Sequence, residues 1–574
     1  MDNLPNKYVF KTILRLNMES RFKELEILIS KFIRQLPEGT EYENRLEEEL
    51  ELIAKLGFAK HFLRVVEILD LTKDIPHMTR GSAGSSLLCW LLGISDVDPI
   101  KENIPLSRFM NPKRDDLPDI DLDFPHYQQE TVMNRIFSKW KGQSARVSNY
   151  VTYKEKSAVR EAAKRFGAKG RLPRNVDLEK VVPEFADDAK KLANKLLGKK
   201  RCISKHCGGI LIFDRPVPKS LINAENQILL DKYEIEDLEH FKIDILANRG
   251  LSQLFEIEPN MNLLDYPEYD EKTAELLSSG NVLGVTQAES PAMRRLLRAI
   301  KPKRREDCVL ATALIRPVAT QGRRKASFFQ DWSKDNFENT IVFEDDAIIL
   351  ISKLLGCNQY EADMWRRAFA KKNEEKIFEF MTMMGDHEHK NEIFFALREL
   401  SNFGLCRAHA INLGRLIWVI AYQKAHNPEK FWRATLKHCQ GSYSHWVYHH
   451  EAKLAGAIPT IYEGNEVNEL LSKGHWHSKK FLPVCTEIRK PGEVEFCGLV
   501  ANYRVFKSKP KEYITFVTLG TGNGRYLDVI IPHACSFHDQ PIVWGVGKLG
   551  YKNNTEYVTV NKHKRFKLKD IINA

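Results

Sequence analysis

The stretch "LPDIDLDF", Leu117 to Phe124, sets an aspartate at every second position: Asp119, Asp121 and Asp123. Residues at i, i+2 and i+4 of an extended strand share one face, so the pattern predicts a strand with three carboxylates on one side. Ile120, Leu122 and Phe124 then fall on the other side and face a core. Two carboxylates about 4 Å apart repel by roughly 4 kcal/mol at an effective dielectric near 20. Such a face needs solvent, arginines or divalent cations to compensate it. On this segment alone, a solvated strand face and a cation site both satisfy the pattern.

Two other stretches favour the cation site. "RGSAGSS", Arg80 to Ser86, is a small-residue turn running into the apolar "LLCWLL". Small residues let backbone N–H groups approach a phosphate, Arg80 adds charge, and the apolar run is expected to supply a helix N-terminus. A plain helix-capping turn explains the Gly and Ser but not their repetition. "FKIDIL" places Asp244 in a short apolar strand, with Lys242 on the same face. An aspartate there is costly unless paired or coordinated. A strand pair offering Asp119, Asp121 and Asp244 is suited to two Mg²⁺ ions, and a nearby phosphate cradle makes nucleotidyl transfer the matching chemistry.

The bulk properties are compatible with that chemistry. The chain has 574 residues, a formal net charge of +11 and 28% charged residues of mixed sign. This implies several globular domains with a basic bias towards polyanions. The ten cysteines are scattered singly, with no CxxC pair and no secretory signal, so reduced thiols and a cytoplasmic location are expected. "CISKHC" (Cys202 to Cys207) lacks a second ligand pair and reads as small buried thiols. No apolar run approaches the roughly 20 residues of a membrane span.

Along the chain, "RFKELEILISKFIRQL" and "ENRLEEELELIAKLGFAKHFLRVVEIL" predict helices before the aspartate strand. Residues 130–200 read as helical and basic, and 270–440 as mostly helical. "VEFCGLVANYRVF", "EYITFVTLG", "RYLDVIIP" and "PIVWGVGKL" predict a small β-barrel of the oligonucleotide-binding type at the end of the sequence. "GTGNGR" (Gly520 to Arg525) lacks the Lys-Ser/Thr of a phosphate loop and reads as a hairpin turn. "HWVYHH" (His445, His449, His450) has no ordered ligand set and reads as a surface helix.

The ordered blocks "TRGSAGSSLLCWLLGISDVDPI", "SRFMNPKRDDLPDIDLDF", "KHCGGILI", "DKYEIEDLEHFKIDIL", "VTQAESPAMRRLL", "ATALIRP", "ADMWRRAFAKK" and "FGLCRAHAINLGRLIWVIAYQKAHNPEKF" resemble the C-family of bacterial replicative DNA polymerases over about residues 40–435. The resemblance implies an α+β multidomain fold: a polymerase-beta-like nucleotidyltransferase palm, helical thumb and fingers, and a C-terminal OB-type barrel. It divides the chain into 1–128 (leading helices and first part of the palm), 129–200 (thumb), 201–270 (second part of the palm), 271–440 (fingers), 441–490 (a reduced linker) and 491–574 (barrel).

It further implies that Asp119, Asp121 and Asp244 are the catalytic, metal-binding triad for two Mg²⁺ ions, with Mn²⁺ as a substitute. Asp123 is not a principal ligand in the family. Arg80, Gly81, Ser82 and Lys242 would surround the triphosphate, with Arg316, Arg366, Arg367 and His409 as nucleotide-binding positions of the fingers. Lys154, Arg160 and Lys164 would contact duplex phosphates, and Tyr503, Phe506 and Phe516 would stack single-stranded template bases. Primer–template DNA and dNTPs are the expected partners.

The sequence also departs from the family pattern. The leading phosphoesterase-like domain and the helix-hairpin-helix segment are not recognised, nor is a sliding-clamp motif or an exonuclease docking site. Ala83 and Ser85 replace usual glycines, and "LCRAH" replaces "FNKSH". The expectation is a minimal DNA-dependent DNA polymerase without proofreading, serving phage or plasmid replication or repair. A non-catalytic template-binding paralogue and a template-independent nucleotidyltransferase are the competing classes.

Overall fold

Alternation along the aspartate stretch does produce a strand with one buried side. In the computed structural model a six-stranded sheet is built from β1 (Met78–Arg80), β2 (Ile120–Pro125), β3 (Ser144–Thr152), β4 (Lys200–Ile212), β5 (Gln227–Asp231) and β6 (Lys242–Asn248). The order is β1-β2-β6-β4-β3-β5, with β2–β6 and β3–β5 parallel and the other pairs antiparallel. The structure describes residues 20–567, apart from 33–34, 115–117, 232–241, 317–340, 399–403, 439–440, 459–486, 491, 510–511, 521–525, 538–539 and 553–554. Residues 521–525 of the expected hairpin turn, most of the expected linker and part of "DKYEIEDLEHFKIDIL" lie outside the described residues.

Ile120, Leu122, Phe124, Ile243 and Ile245 are buried on one side of the sheet, against the helices Thr40–Leu56, Ala59–Leu71 and Gln129–Lys139. At about 25 cal/mol per Å² of apolar surface, each such side chain contributes roughly 1.5–3 kcal/mol. This burial fixes which way the aspartates point, because a one-residue slip would turn them inward.

The basic helical segment is divided differently from the sequence expectation. Gln129–Lys139 supplies Val132, Met133 and Ile136 to the core behind the sheet, and β3 is a strand of the sheet itself. The separate helical unit is therefore 153–199, inserted between β3 and β4. It has its own core of Ala158, Ala162, Ala163, Ala189, Ala193 and Leu196, among others. Its base is closed by Tyr153 N–H to Lys199 O and Gly198 N–H to Tyr153 O, both 2.9 Å.

On the far side, the long helix Arg407–His426 is almost wholly buried and organises a core with Arg249–Ile257, Glu271–Ser278 and Arg305–Leu314. A second helical cluster, Glu344–Leu355 to Lys390–Arg398, carries a core of its own around Phe369 and Phe380.

The C-terminal strands are β7 (Glu487–Lys490), β8 (Glu493–Lys509), β9 (Glu512–Gly520), β10 (Tyr526–Ile531), β11 (Ile542–Lys552) and β12 (Thr555–Phe566). β8-β9-β10-β12-β11 closes on itself through β11–β8 pairing, with β10 and β12 parallel. This is a closed five-stranded barrel consistent with the OB type. It docks on the helical core through Cys497, Leu499, Ala501 and Ile542, and through Tyr526 Oη donating to Glu451 Oε1 at 3.0 Å.

Candidate active site

Strand register assembles the site. In the parallel β2–β6 pair Asp121 stands opposite Asp244, and in the β1–β2 pair Arg80 stands opposite Asp121. Gly209 of β4 pairs with Asp244 on its other side. Burial, and then the charges of Asp244 and Asp119, push the Asp121 carboxyl up to about 7, against the opposing pull of Lys242 and Arg80. Lys242 Nζ donates to Asp244 Oδ2 at 2.6 Å. Burial works against the Lys242 charge, but Asp244, Asp119 and Asp121 outweigh it and hold its pKa above the ordinary lysine value.

The other Asp244 oxygen, Oδ1, is buried without a hydrogen bond and has His206 Nδ1 at 3.5 Å. That histidine nitrogen accepts from Gly209 N–H at 2.7 Å, so it is an acceptor there rather than a proton donor to Asp244. Asp119 is exposed just before β2. Among the described residues, the three carboxylates do not offer oxygens that all lie within 4.8 Å of one another. Asp121 and Asp244 are the neighbours across one strand pair, and Asp119 acts on them from the rim. An unsatisfied buried oxygen, crowded carboxylates and an all-oxygen donor set fit a hard divalent cation.

Asp123 shares their face but has another task. It is fully buried, and its Oδ2 accepts from Arg80 Nη2 at 2.9 Å and from Asn248 Nδ2 at 2.9 Å. Arg80 is thus tethered, with its side chain still 38% exposed beside the site. Gly81, at φ +74°, lets the turn pass Asp121: a Cβ there would stand 3.5 Å from Asp121 Oδ2. Gly84 allows the turn to meet the helix Arg407–His426, where an added Cβ would come within 2.8 Å of Ala408 Cβ.

One expectation for this turn is corrected. The helix after it, Leu87–Leu91, has only five residues, and its leading N–H groups are already satisfied by Glu49. Leu87 N–H and Leu88 N–H donate to the Glu49 carboxylate at 2.6 and 3.0 Å, and Ser86 Oγ donates at 2.6 Å. Glu49, fully buried and bonded to Arg45, is the anion at that terminus, so these helix N–H groups are already taken. Ser82, half-buried in the preceding 3₁₀ turn Gly81–Ser85, remains beside the acidic face.

The expected nucleotide-binding residues separate into two groups. His409, on Arg407–His426, is pushed down to about 4 by burial and then by the charges of Arg80 and Arg316. Arg80, Arg316 and His409 therefore converge. Arg316 Nε and His409 Nδ1 are buried without hydrogen-bond partners among the described residues. Arg366 belongs elsewhere. Its side chain is 5% exposed, with Nε on Asp363 Oδ1 at 2.8 Å and Nη1 on Glu344 Oε2 at 3.3 Å. This guanidinium, together with Arg108, which meets Glu344 at 2.7 Å, ties the helices Glu344–Leu355 and Gln359–Ala370 to each other and is not presented to a phosphate. Arg367, the next residue, is half-buried.

In the helical insertion, Lys154 and Lys164 are exposed and Arg160 is half-buried. Arg160 lines one concave surface with Arg171 and Arg174, which the sequence reading did not single out. In the barrel, Phe506 and Phe516 are 52% and 40% exposed, and the β8–β9 register puts them on one face with Arg504. Tyr503 turns inward and packs edge-on against Phe537, with ring centres 5.0 Å apart.

Comparison with known proteins gives the family. A family model described as the bacterial DNA polymerase III alpha NTPase domain matches residues 12–247. A second, the bacterial DNA polymerase III alpha subunit finger domain, continues over 248–392. The chain is a DNA polymerase III alpha-like protein. It is 30% identical over 455 residues to the DNA polymerase III subunit alpha of Halalkalibacterium halodurans, covering 68% of this chain and 40% of that protein. The Bacillus subtilis subunit is 30% identical over 453 residues, with the same 68% and 40% coverage. The Staphylococcus epidermidis subunit is 28% identical over 501 residues, 76% of this chain and 46% of the relative. The chain thus spans less than half the length of these curated relatives. In the polymerase III alpha-like chain the NTPase-domain match ends within β6, and the finger-domain match begins at its last residue, Asn248. Among the described residues, no helix is long and apolar enough to cross a membrane.

Proposed function

We propose that this chain is a DNA-directed DNA polymerase, which extends a primer from dNTPs on a template strand by nucleotidyl transfer at Asp119, Asp121 and Asp244. The observation that carries the reading is the in-register pairing of Asp121 with Asp244, with an unsatisfied Asp244 oxygen and the Asp121 carboxyl driven up by burial and then by its acidic neighbours. The donor set fits Mg²⁺, with Mn²⁺ as a substitute, and a pair of such ions supplies activation of a 3′-hydroxyl and charge neutralisation at the leaving pyrophosphate.

The chain's own residues account for the rest of the geometry. Lys242 neutralises Asp244 and keeps a positive charge at the acidic face. Arg80 is tethered by Asp123 so that its exposed edge, together with Arg316 and His409, offers donors to a triphosphate. Their unsatisfied buried nitrogens are the groups an anionic ligand would complete. Lys154, Arg160 and Lys164 hold duplex phosphates, and Phe506 and Phe516 stack template bases.

Primed and unprimed extension assays test this. Wild type should extend only the primed template, and Asp119→Asn, Asp121→Asn and Asp244→Asn should each abolish incorporation while primer–template binding is kept or tightened. Normal extension by any of the three removes the assignment, and unprimed addition points to the template-independent class. Synthesis without trimming is the finer part of the reading. An end-labelled, 3′-mismatched primer in Mg²⁺ without dNTP should keep its length.

A further inference from the structure

Three ligand-bearing side chains meet on the barrel, far in sequence from the acidic face. Among the described residues, His533, Cys535 and His563 are the one group of three whose potential ligand atoms all lie within 4.8 Å of one another. His533 and Cys535 sit on the loop after β10, and His563 sits on β12, opposite Gly545 of β11. Cys535 Sγ is 3.7 Å from His563 Nε2, and the two imidazole rings are 5.1 Å apart.

We propose that His533, Cys535 and His563 form a zinc-binding site that clips the loop after β10 to strand β12, leaving a fourth coordination position open.

Zn–S near 2.3 Å and Zn–N near 2.0–2.1 Å at tetrahedral angles give a sulfur–nitrogen edge of roughly 3.5 Å. The 3.7 Å observed between Cys535 Sγ and His563 Nε2 is close to that edge. Two imidazoles and a thiol, with no carboxylate, are the wrong donors for Mg²⁺ or Ca²⁺ and the right ones for Zn²⁺. The site is therefore chemically distinct from the acidic one.

The loop is also held in place before any metal binds. Thr515, fully buried opposite Ile531, donates through Oγ1 to His533 O at 2.6 Å and accepts from Cys535 N–H at 2.9 Å. Arg565 Nη1 donates to Ser536 O at 2.6 Å. These bonds fix the backbone of both loop residues, as supporting contacts do around metal ligands. Loading converts the neutral Cys535 thiol to a zinc thiolate and releases one proton to solvent. The bland alternative is a thiol–imidazole hydrogen bond beside a ring contact, which predicts no metal uptake.

The test uses the full chain, stripped by chelator and titrated with Co²⁺ and then Zn²⁺. One equivalent of Co²⁺ should give ligand-field bands of a tetrahedral ion and a thiolate-to-cobalt charge-transfer band, both bleached by Zn²⁺. Cys535→Ser should lose the charge-transfer band. His533→Gln, at an exposed position that leaves the barrel core untouched, should bind at least tenfold more weakly. Asp121→Asn and the double variant Cys202→Ser/Cys207→Ser should bind as wild type does. The last control matters because Cys207 Sγ lies 4.0 Å from His206 Nδ1, a rival thiol–imidazole pair. Absence of the charge-transfer band in wild type overturns the proposal, as does its survival in Cys535→Ser or unchanged affinity in His533→Gln.

Discussion

Replacing Asp123 with alanine should impair nucleotide use without touching the nucleotide, and the size of the effect follows from its contacts. Arg80 reaches the site as a long, flexible side chain, and Asp123 Oδ2 holds both its Nη2 (2.9 Å) and its Nε (3.3 Å). A charge-assisted hydrogen bond from Arg80 to a triphosphate oxygen is worth about 1.5–3 kcal/mol. Arg80→Ala should therefore lower kcat/KM for dNTP by about 10- to 150-fold. In Asp123→Ala the guanidinium survives but must be ordered by the substrate, at about 0.5–1.5 kcal/mol for one such side chain. The expected loss is about 2- to 12-fold, taken mainly in KM. Because Asp123 acts through Arg80, the double variant should resemble Arg80→Ala alone, with a coupling energy near the whole Asp123→Ala effect. The assay is single-nucleotide incorporation on a fixed primer–template over a range of dNTP concentrations, with circular dichroism confirming that each variant is folded. Two independent losses that multiply in the double variant would refute the tether, as would wild-type kinetics in a folded Asp123→Ala protein.

Arg366→Ala should act on stability rather than on dNTP affinity. Removing the guanidinium leaves buried Asp363 with Arg114 at 3.7 Å and half-buried Glu344 with Arg108, at a cost of about 1–3 kcal/mol, read as early proteolysis of the 344–398 cluster, whereas Arg367→Ala should cost less. Acid should weaken the helices behind the sheet through His61, which burial and then Lys60 hold down to about 3. With the folded pKa below the unfolded value near 6.5, its contribution is present above 6.5 and is lost as pH falls towards 3, by about 2 kcal/mol at pH 5. His61→Leu should shrink the fall in melting temperature between pH 7 and pH 5, and an unchanged fall would show that other groups set it. In the barrel, Phe506→Ala and Phe516→Ala should each weaken oligo-dT binding by about 5- to 150-fold, at 1–3 kcal/mol per stacked base. Tyr503→Ala, packed on Phe537, should lower barrel stability instead; equal binding losses for all three would remove the exposed face as the stacking surface.

Period-two alternation was enough to read which face of β2 carries carboxylates, because burial of Ile120, Leu122 and Phe124 leaves no other register. Local alternation contains no information about strand neighbours. The pairing of Asp121 with Asp244 joins residues 123 positions apart; the cost of a lone aspartate in the apolar "FKIDIL" suggested it, and the family resemblance implied it as well. The helical insertion was placed too early for a similar reason: Gln129–Lys139 is amphipathic like its successors, and only tertiary packing assigns it to the core behind the sheet.

Charges were harder to read than faces, since a sequence shows where an ion is but not what already satisfies it. The small-residue turn looked open to phosphate, yet a helix N-terminus takes the nearest suitable anion, and Glu49 is built into the core beside it. The resemblance implied a nucleotide-binding role for Arg366, although its three-residue spacing from Asp363 is a signal of an intrahelical ion pair. Asp123 carried no such cue, because its partner lies on another strand. Buried groups of this kind are selected to be satisfied inside the fold, so the charges left for a ligand are those whose internal partners are missing. Asp244 Oδ1, Arg316 Nε and His409 Nδ1 are among the buried atoms left without such a partner, as Asp123 Oδ1 is, whereas Arg366 and the helix behind the turn have theirs.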